Sequence, residues 1–544
     1  MTGEQAAKAV DTTRRLVVVG GGIAGLAAAF HAARRGIGTV LLLEAGPTLG
    51  GKLALGEVGG VQVDLGAESI LARRPEGTGL AAEAGLSSDL LHPATISAGV
   101  YSRGALRRLP SGQLMGVPGD LAALAASGLV SDEGLSRARQ DEELPPTPID
   151  GDVAIGEYVA TRLGQEIVDR LVEPLLGGVY AGHANKLSLA ATVPQLVPLA
   201  ASGLPLSPGV RALLAKTGQA TRVQEGDRFG AGAGAMDGSG AGSRSGSGSD
   251  SGIGAGSASA SPAASAPPPV FAGIRGGVGR LAEAVTAAAR GLGAELRTGV
   301  AVLELHRIPD ASSDAGESVG LGTEAGTDAG RWRLRLSTGE SIDADAVVLA
   351  VQAPVAGRLL AASAPTAAAE LSGVEYASMA IATFAFPKAA LGGVELPGSG
   401  FLVPPVEGRA VKAATFSTAK WPWLAEAAPE TFVVRASLGR HGEERDLERD
   451  DSELAKAALA DLADIAGLTA APAGVHIQRW IEALPQYAVG HVDRVTRIRA
   501  ALPADVAVAG AAYDGVGIPA CVASARRAVE KLSDDEGSKA RGHD

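Results

Sequence analysis

The chain has 544 residues, 46% of them apolar, and a formal net charge of −12; that is enough for a sizeable core and two or more structural units. The acidic balance excludes a nucleic-acid partner, which needs clustered positive charge. Cys521 is the only cysteine, which excludes an intramolecular disulfide and a cysteine-based metal site.

Residues 1–15 lack the apolar run of a signal peptide, so the expected location is the cytoplasm. An apolar strand at 16–19 runs directly into Gly20-Gly21-Gly22-Ile23-Ala24-Gly25 and an alanine-rich helix, and a second strand ends on Glu44, nineteen residues beyond Gly25. This spacing predicts a dinucleotide cradle. Gly20 permits the tight turn, Gly22 lets the backbone approach a pyrophosphate at the helix N-terminus, Gly25 brings helix and strand together, and Glu44 hooks a ribose. Helices are predicted at 118–126, 154–163 and 279–290, the last closed by Gly291 and Gly293. The longest uncharged stretch, 187–210, contains Pro194, Pro198, Pro205 and Pro208, which would break a spanning helix, so it reads as a buried or cleft-lining segment and no integral membrane segment is expected.

Two stretches read as insertions. Residues 225–269 are almost wholly Gly, Ala, Ser and Pro and are expected to be disordered, because they have no apolar face to offset their ordering entropy; a linker without function is the favoured reading over a regulatory tether. Residues 308–330 are expected to form a flexible loop swelling a hairpin between strand-like 300–306 and 332–337. A turn at Thr338-Gly339 and a further strand, 345–350, follow.

What surrounds the cradle carries a family resemblance. Glu44-Ala45, then Gly50-Gly51-Lys52, then Val63-Asp64-Leu65-Gly66-Ala67-Glu68-Ser69 resembles flavin enzymes of the amine-oxidase type, although Thr48 stands where that superfamily often has arginine. Near the C-terminus a short apolar strand at 506–510 leads to Ala511-Ala512-Tyr513-Asp514-Gly515-Val516-Gly517-Ile518-Pro519-Ala520-Cys521 and a helix expected from about Val522. This segment is similar to the protoporphyrinogen and coproporphyrinogen oxidase family, as are 65–73, 173–182, 186–189 and the run from Trp480 through Leu484-Pro485-Gln486-Tyr487 to Gly490-His491.

The resemblance implies an α/β fold: a discontinuous Rossmann-like FAD-binding domain (14–95, 270–352 and 479–535), a mixed-sheet substrate domain at 353–478, a substrate and helical region at 96–224 that supplies the helical subdomain, and a tail at 536–544. It implies noncovalent FAD, with Gly20, Gly21, Gly22, Ile23, Ala24 and Gly25 at the pyrophosphate and Glu44 and Ala45 at the adenosine ribose. Lys52 falls at the phosphates, Gly66, Ala67, Glu68 and Ser69 near the flavin, Val300 on the adenine side, and Trp480, Val516, Gly517 and Ile518 around the isoalloxazine ring. It further implies a tetrapyrrole substrate and a transient contact with the next enzyme of haem synthesis. No catalytic residue and no metal ligand is assigned, because the flavin carries the hard chemistry. His183 and His491 flank the motifs, and Arg73, Arg74, Arg107 and Arg108 are candidate partners for propionates. Coproporphyrinogen III oxidation by oxygen, with peroxide as product, is the leading reading. Protoporphyrinogen oxidation, a flavin-bearing porphyrin carrier without turnover, and a generic amine or carotenoid oxidase stand beside it.

Overall fold

A computed structural model describes residues 14–216, 270–308 and 331–540, apart from 395 and 397. The insertion expected at 225–269 lies outside the described residues, as does 309–330 within the expected loop.

β1 (Arg15–Val19) is buried on both faces: Leu16 and Val18 enter one core, Val17 and Val19 another. Such a continuous apolar run belongs in the middle of a parallel sheet. It is flanked there by β2 (Thr39–Leu43) and by Ala346–Leu349, and the five-stranded parallel sheet runs Glu295–Arg297, β2, β1, Ala346–Leu349, Val506–Val508. On one face α1 (Ile23–Arg35), rich in alanine, packs closely with the helices Arg280–Gly291 and Ile518–Ala540. On the other lie the antiparallel strands Val302–Ile308, Arg331–Leu336 and Ser341–Ala344 and the helices Ala353–Leu360 and Pro365–Ser372. These two helices continue the layer past residue 352, because their apolar faces are buried against this sheet.

The second sheet is mixed and seven-stranded, in the order Gly474–Pro485, Tyr376–Pro387, Thr431–Leu438, Val411–Phe416, Gly400–Leu402, Ala98–Ser102, Ala105–Arg108. One face, with Ala382, Phe384, Val434, Ala436, Ala414 and Phe416, buries against the helix Asp451–Ala466. The strand Gly474–Pro485 runs unbroken across residue 479, so the boundary expected there falls inside a strand.

A third core joins the helices between Leu121 and Lys216. The uncharged stretch 187–210 folds here into short helices, including Val197–Ser202 and Leu206–Lys216, that bury Leu196, Ala200, Leu206 and Val210. Among the described residues no helix is long and apolar enough to cross a membrane.

Two helix starts differ from expectation. The helix predicted from residue 118 begins at Leu121, because Asp120 caps it by accepting from the Ala122 and Ala123 N–H groups at 2.9 and 3.0 Å while Val117–Pro118 pairs with Gln113–Leu114. The C-terminal helix begins at Ile518 rather than near Val522; Pro519 sits in its first turn, where the missing N–H is not needed.

Candidate cofactor site and substrate face

Three glycines of the 20–25 turn serve different physical ends. Gly20 has φ +107°, and a Cβ there would lie 2.5 Å from the Ala350 carbonyl oxygen; a Cβ on Gly25 would lie 1.8 Å from the Gly20 carbonyl oxygen. Both positions therefore require hydrogen. Gly22 is the opposite case: its φ of −69° and ψ of 177° suit any residue, and a Cβ would meet nothing within 4 Å. Open space at the first turn of α1, where free N–H groups point, is the form of an anion cradle.

The remaining cradle residues converge on that opening. Glu44 accepts from the Gly21 N–H at 2.6 Å and the Gly46 N–H at 2.7 Å, and its carbonyl accepts from the Val300 N–H at 2.9 Å, which places Val300 and the exposed Ala45 beside it. Each carboxylate oxygen keeps a further lone pair able to accept a hydrogen bond. Ile23 and Ala24, the first two residues of α1, pack into the core on that side of the sheet. Gly50 and Gly51, with φ of +110° and +57°, bring the returning chain against the turn, where the Gly50 N–H donates to the Gly21 carbonyl at 2.8 Å. Lys52 follows with its surface open, yet enough protein encloses it that burial lowers its ammonium below the ordinary lysine value. It sits close enough to Cys521 for each group to influence the other's proton affinity.

The segment from Leu65 to Ser69 is held from the second sheet. The Trp480 indole N–H donates to the Leu65 carbonyl at 3.2 Å, and a Cβ on Gly66 would lie 2.0 Å from the Lys52 carbonyl and 3.1 Å from the Trp480 ring. The Ala67 N–H donates to the Lys52 carbonyl at 3.1 Å. Glu68 and Ser69 turn toward the second sheet: Lys420 Nζ reaches Glu68 at 2.7 Å and Ser69 Oγ at 2.9 Å, Arg435 reaches Glu68 at 2.7 Å and the Gly66 carbonyl, and Ser417 donates to Glu68 at 3.0 Å. Burial opposes ionisation of Glu68, but the two cations outweigh it and hold the carboxyl at about 2. No local signal marks Lys420 and Arg435, about 350 residues away, as partners of Glu68.

The C-terminal turn completes the rim. Gly515 has φ +128°, Gly517 is exposed with no atom nearer its Cβ position than Pro519 Cδ at 3.8 Å, and Val516 and Ile518 pack against the helical region and the α1 core respectively.

Both motif histidines are engaged in packing. His183 Nδ1 lies 2.9 Å from Glu173 and Nε2 3.0 Å from the His441 carbonyl, so both nitrogens face acceptors; the hydrogen bond with Glu173 raises its pKa and favours the imidazolium. His491 stacks on Tyr487 at 4.3 Å, faces the Ala512 carbonyl at 3.0 Å, and is pushed down to about 4 by burial. Of the four candidate arginines, Arg74 pairs with Glu76 at 3.1 Å, Arg107 donates to the Ser102 carbonyl at 3.0 Å, and Arg73 is exposed.

The second sheet presents its other face inward. One transverse row on it is Gln478, Ile381, Ser437, Ala413 and Leu402, paired strand to strand. Met379 and Trp480 pair beside this row. The helix Glu173–Tyr180 crosses this face against Gly400–Leu402 and Val411–Phe416 with an exposed Gly178, whose Cβ would meet only Leu402 at 3.5 Å. Gln478, Ser437, Ala413, Leu402, Met379 and Trp480 all remain partly exposed.

Residues 23–533 match the flavin-containing amine oxidoreductase family. The chain belongs to this family. Its cofactor is accordingly FAD, and it is a flavoprotein oxidoreductase. The chain is 34% identical to the coproporphyrinogen III oxidase of Mycobacterium tuberculosis, over 96% of its own length and 98% of that protein's. It is 29% identical to the Bacillus subtilis protein of the same name, over 95% and 98%. Among solved structures it resembles an Exiguobacterium protein provisionally named a protoporphyrinogen oxidase, with TM-score 0.74 and 30% identity over 96% and 99% of the two chains. The open space at Gly22, the engaged Glu44 and the exposed Gly517 fit a flavin-containing amine oxidoreductase with FAD along this rim.

Proposed function

We propose that this chain oxidises coproporphyrinogen III to coproporphyrin III, with three molecules of oxygen reduced to three of hydrogen peroxide. The observation that carries the reading is the extent of the likeness to coproporphyrinogen III oxidases: it spans the inward sheet face and the helical region as well as the cradle. Bound FAD supplies two-electron oxidation of a C–H bond, needed three times to reach the aromatic macrocycle.

The chain's own residues hold and orient. Gly22 and its neighbouring N–H groups bind the pyrophosphate, Glu44 the ribose and Lys52 the phosphates; Ile23, Ala24 and Gly25 keep α1 aimed at them. Val300 borders the adenine side, and Gly66 to Ser69, Trp480 and Val516 to Ile518 bound the ring. The cofactor is held noncovalently: the only thiol, Cys521, is buried and pushed up to about 11 by that burial, far from the reactive thiolate. The macrocycle lies against the small and apolar face of Met379, Ile381, Ala413 and Leu402, which excludes water from one side. Neither His183 nor His491 moves a proton, since both are committed to buried backbone and Glu173 contacts.

The test is a steady-state comparison of the two porphyrinogens with purified protein. A higher kcat/KM for coproporphyrinogen III is expected, because each satisfied extra carboxylate contributes about 1.5–3 kcal/mol. Equal or reversed efficiencies would favour the second reading, a protoporphyrinogen oxidase, for which the Exiguobacterium likeness speaks. A flavin that stays oxidised on anaerobic mixing with either would refute turnover of both.

A further inference from the structure

Resting on the tetrapyrrole reading above, we propose that Lys412, with Arg440 beside it, is a carboxylate receptor that takes one propionate of the substrate at the end of the inward sheet face remote from Trp480. Lys412 lies on the strand Val411–Phe416 at an irregularity: Val411 pairs with Leu438 and Ala413 with Ser437, so Lys412 is the extra residue between them. Val411 faces the core under the helix Asp451–Ala466. Lys412 therefore joins the side of Ala413 and Ser437, both partly exposed members of the inward face.

Its environment is unusual for a lysine. The side chain is only 4% exposed, and its Nζ has no hydrogen-bond partner among the described residues. Two charged groups act on it: the Arg440 guanidinium, which opposes its charge, and the Glu443 carboxylate, whose opposite effect is smaller; Arg440, itself buried, donates to the Val403 carbonyl at 3.1 Å and reaches Glu443 only at 3.9 Å. Burial and Arg440 lower the Lys412 pKa to about 7. The half-buried Lys420 and the buried Arg435, by contrast, each pair with Glu68. A buried, unpaired ammonium beside a guanidinium is costly unless an anion joins it.

The placement suits a flat molecule bearing peripheral carboxylates. Lys412 lies three strands from Trp480 in the sheet order, roughly 14 Å at about 4.8 Å per strand, comparable to a macrocycle with a propionate arm. Between them the face offers Met379, Ile381, Ser437 and Ala413. The crossing helix carries Gly177-Gly178 at its middle, where helix glycines are costly, and no atom comes within 3.4 Å of either missing Cβ. Room is therefore left over Leu402 at the end of the transverse row, on the strand next to the one that carries Lys412.

The experiment compares binding of coproporphyrin III and its tetramethyl ester to the FAD-loaded protein by quenching of porphyrin fluorescence. The natural protein is expected to hold the tetraacid tenfold or more tighter than the ester. Lys412→Met should reduce that ratio by at least fivefold without changing ester affinity, and Lys412→Arg should restore it. Flavin absorbance and thermal midpoint, read on each variant, confirm that cradle and fold persist; Met should be well tolerated, since it replaces a buried cation by a similar volume. An unchanged ratio in folded Lys412→Met, or no preference in the natural protein, would overturn the proposal while leaving porphyrin binding intact. Failure of both porphyrins to bind the natural protein would instead overturn the tetrapyrrole reading on which it rests.

Discussion

Substituting alanine at Gly22 and at Gly25 separates cofactor binding from folding within a single turn. At Gly22 the backbone conformation is open to any residue and the new methyl meets no atom within 4 Å, so folding of the apoprotein loses nothing. Restricting the unfolded chain adds about 0.4–1 kcal/mol of stability. On the proposed assignment the same methyl enters the space that the pyrophosphate approaches and separates it from the N–H groups of α1. Losing one hydrogen bond to a charged group costs about 1.5–3 kcal/mol, or roughly a 10- to 150-fold weaker FAD complex; Gly22→Val, with more bulk, should abolish binding. At Gly25 the methyl would sit 1.8 Å from the Gly20 carbonyl oxygen, so α1 must move away from β1. Overpacking of that kind costs about 1–3 kcal/mol or more in the apoprotein and distorts the cradle as well. Two assays separate the effects: FAD titration of apoprotein by flavin fluorescence, and denaturant midpoints without FAD. Gly22→Ala with natural FAD affinity, or with an apoprotein destabilised by more than about 1 kcal/mol, would refute the assignment of that open space to the pyrophosphate.

Other perturbations read different parts of the molecule. Arg162 and Asp141, each with a side chain 1% exposed and paired at 2.7 Å, are further bound by the Pro145 carbonyl and the Ser207 N–H; Arg162→Met alone should cost about 3–5 kcal/mol, and Arg162→Met with Asp141→Leu should recover much of it, as chemical denaturation will show. His31 and His491 are held near 4, below the unfolded value of about 6.5, so the unfolded chain binds protons first; stability should be full above pH 6.5 and fall as pH drops toward 4, by up to ~3 kcal/mol per histidine, and His491→Phe should flatten the thermal-midpoint profile over that window. His183 has the opposite sign. Its folded pKa is raised, so its contribution is complete below about 6.5 and is lost as pH rises through the folded value; the difference in thermal midpoint between the natural protein and His183→Gln should shrink across that rise, and a difference growing with pH would contradict the imidazolium bridge. Arg435→Met leaves Glu68 with Lys420 and Ser417, and should loosen the segment from Leu65 to Ser69 enough to change the visible circular dichroism of bound flavin; a natural spectrum would show that Arg435 does not position that segment.

The features legible from residue order are those settled within a few residues. The buried strand at 16–19, the glycine turn and the acid at the end of the second strand followed from period, turn chemistry and spacing, and the structure places them at the centre of the parallel sheet. At Gly25 the bar to a side chain is local, the Gly20 carbonyl, whereas at Gly20 it comes from Ala350 on another strand of the sheet. The C-terminal turn was legible as a motif, though the start of its helix was misplaced because Pro519 is compatible with a first turn. Tertiary structure decided what depends on chain segments meeting from afar. Glu68 finds Lys420 and Arg435, and the strand carrying Trp480 joins the sheet of Met379 rather than the cofactor sheet. His183 receives its second acceptor from the His441 carbonyl, 258 residues away, which turns a candidate proton carrier into a bridge. Lys412, an ordinary lysine in sequence, becomes a buried cation without a partner only through an irregular strand pairing and the packing around it. Local conformation is encoded by the residues that adopt it; strand order, burial and charge pairing are properties of the closed sheet, and no short window of sequence contains them.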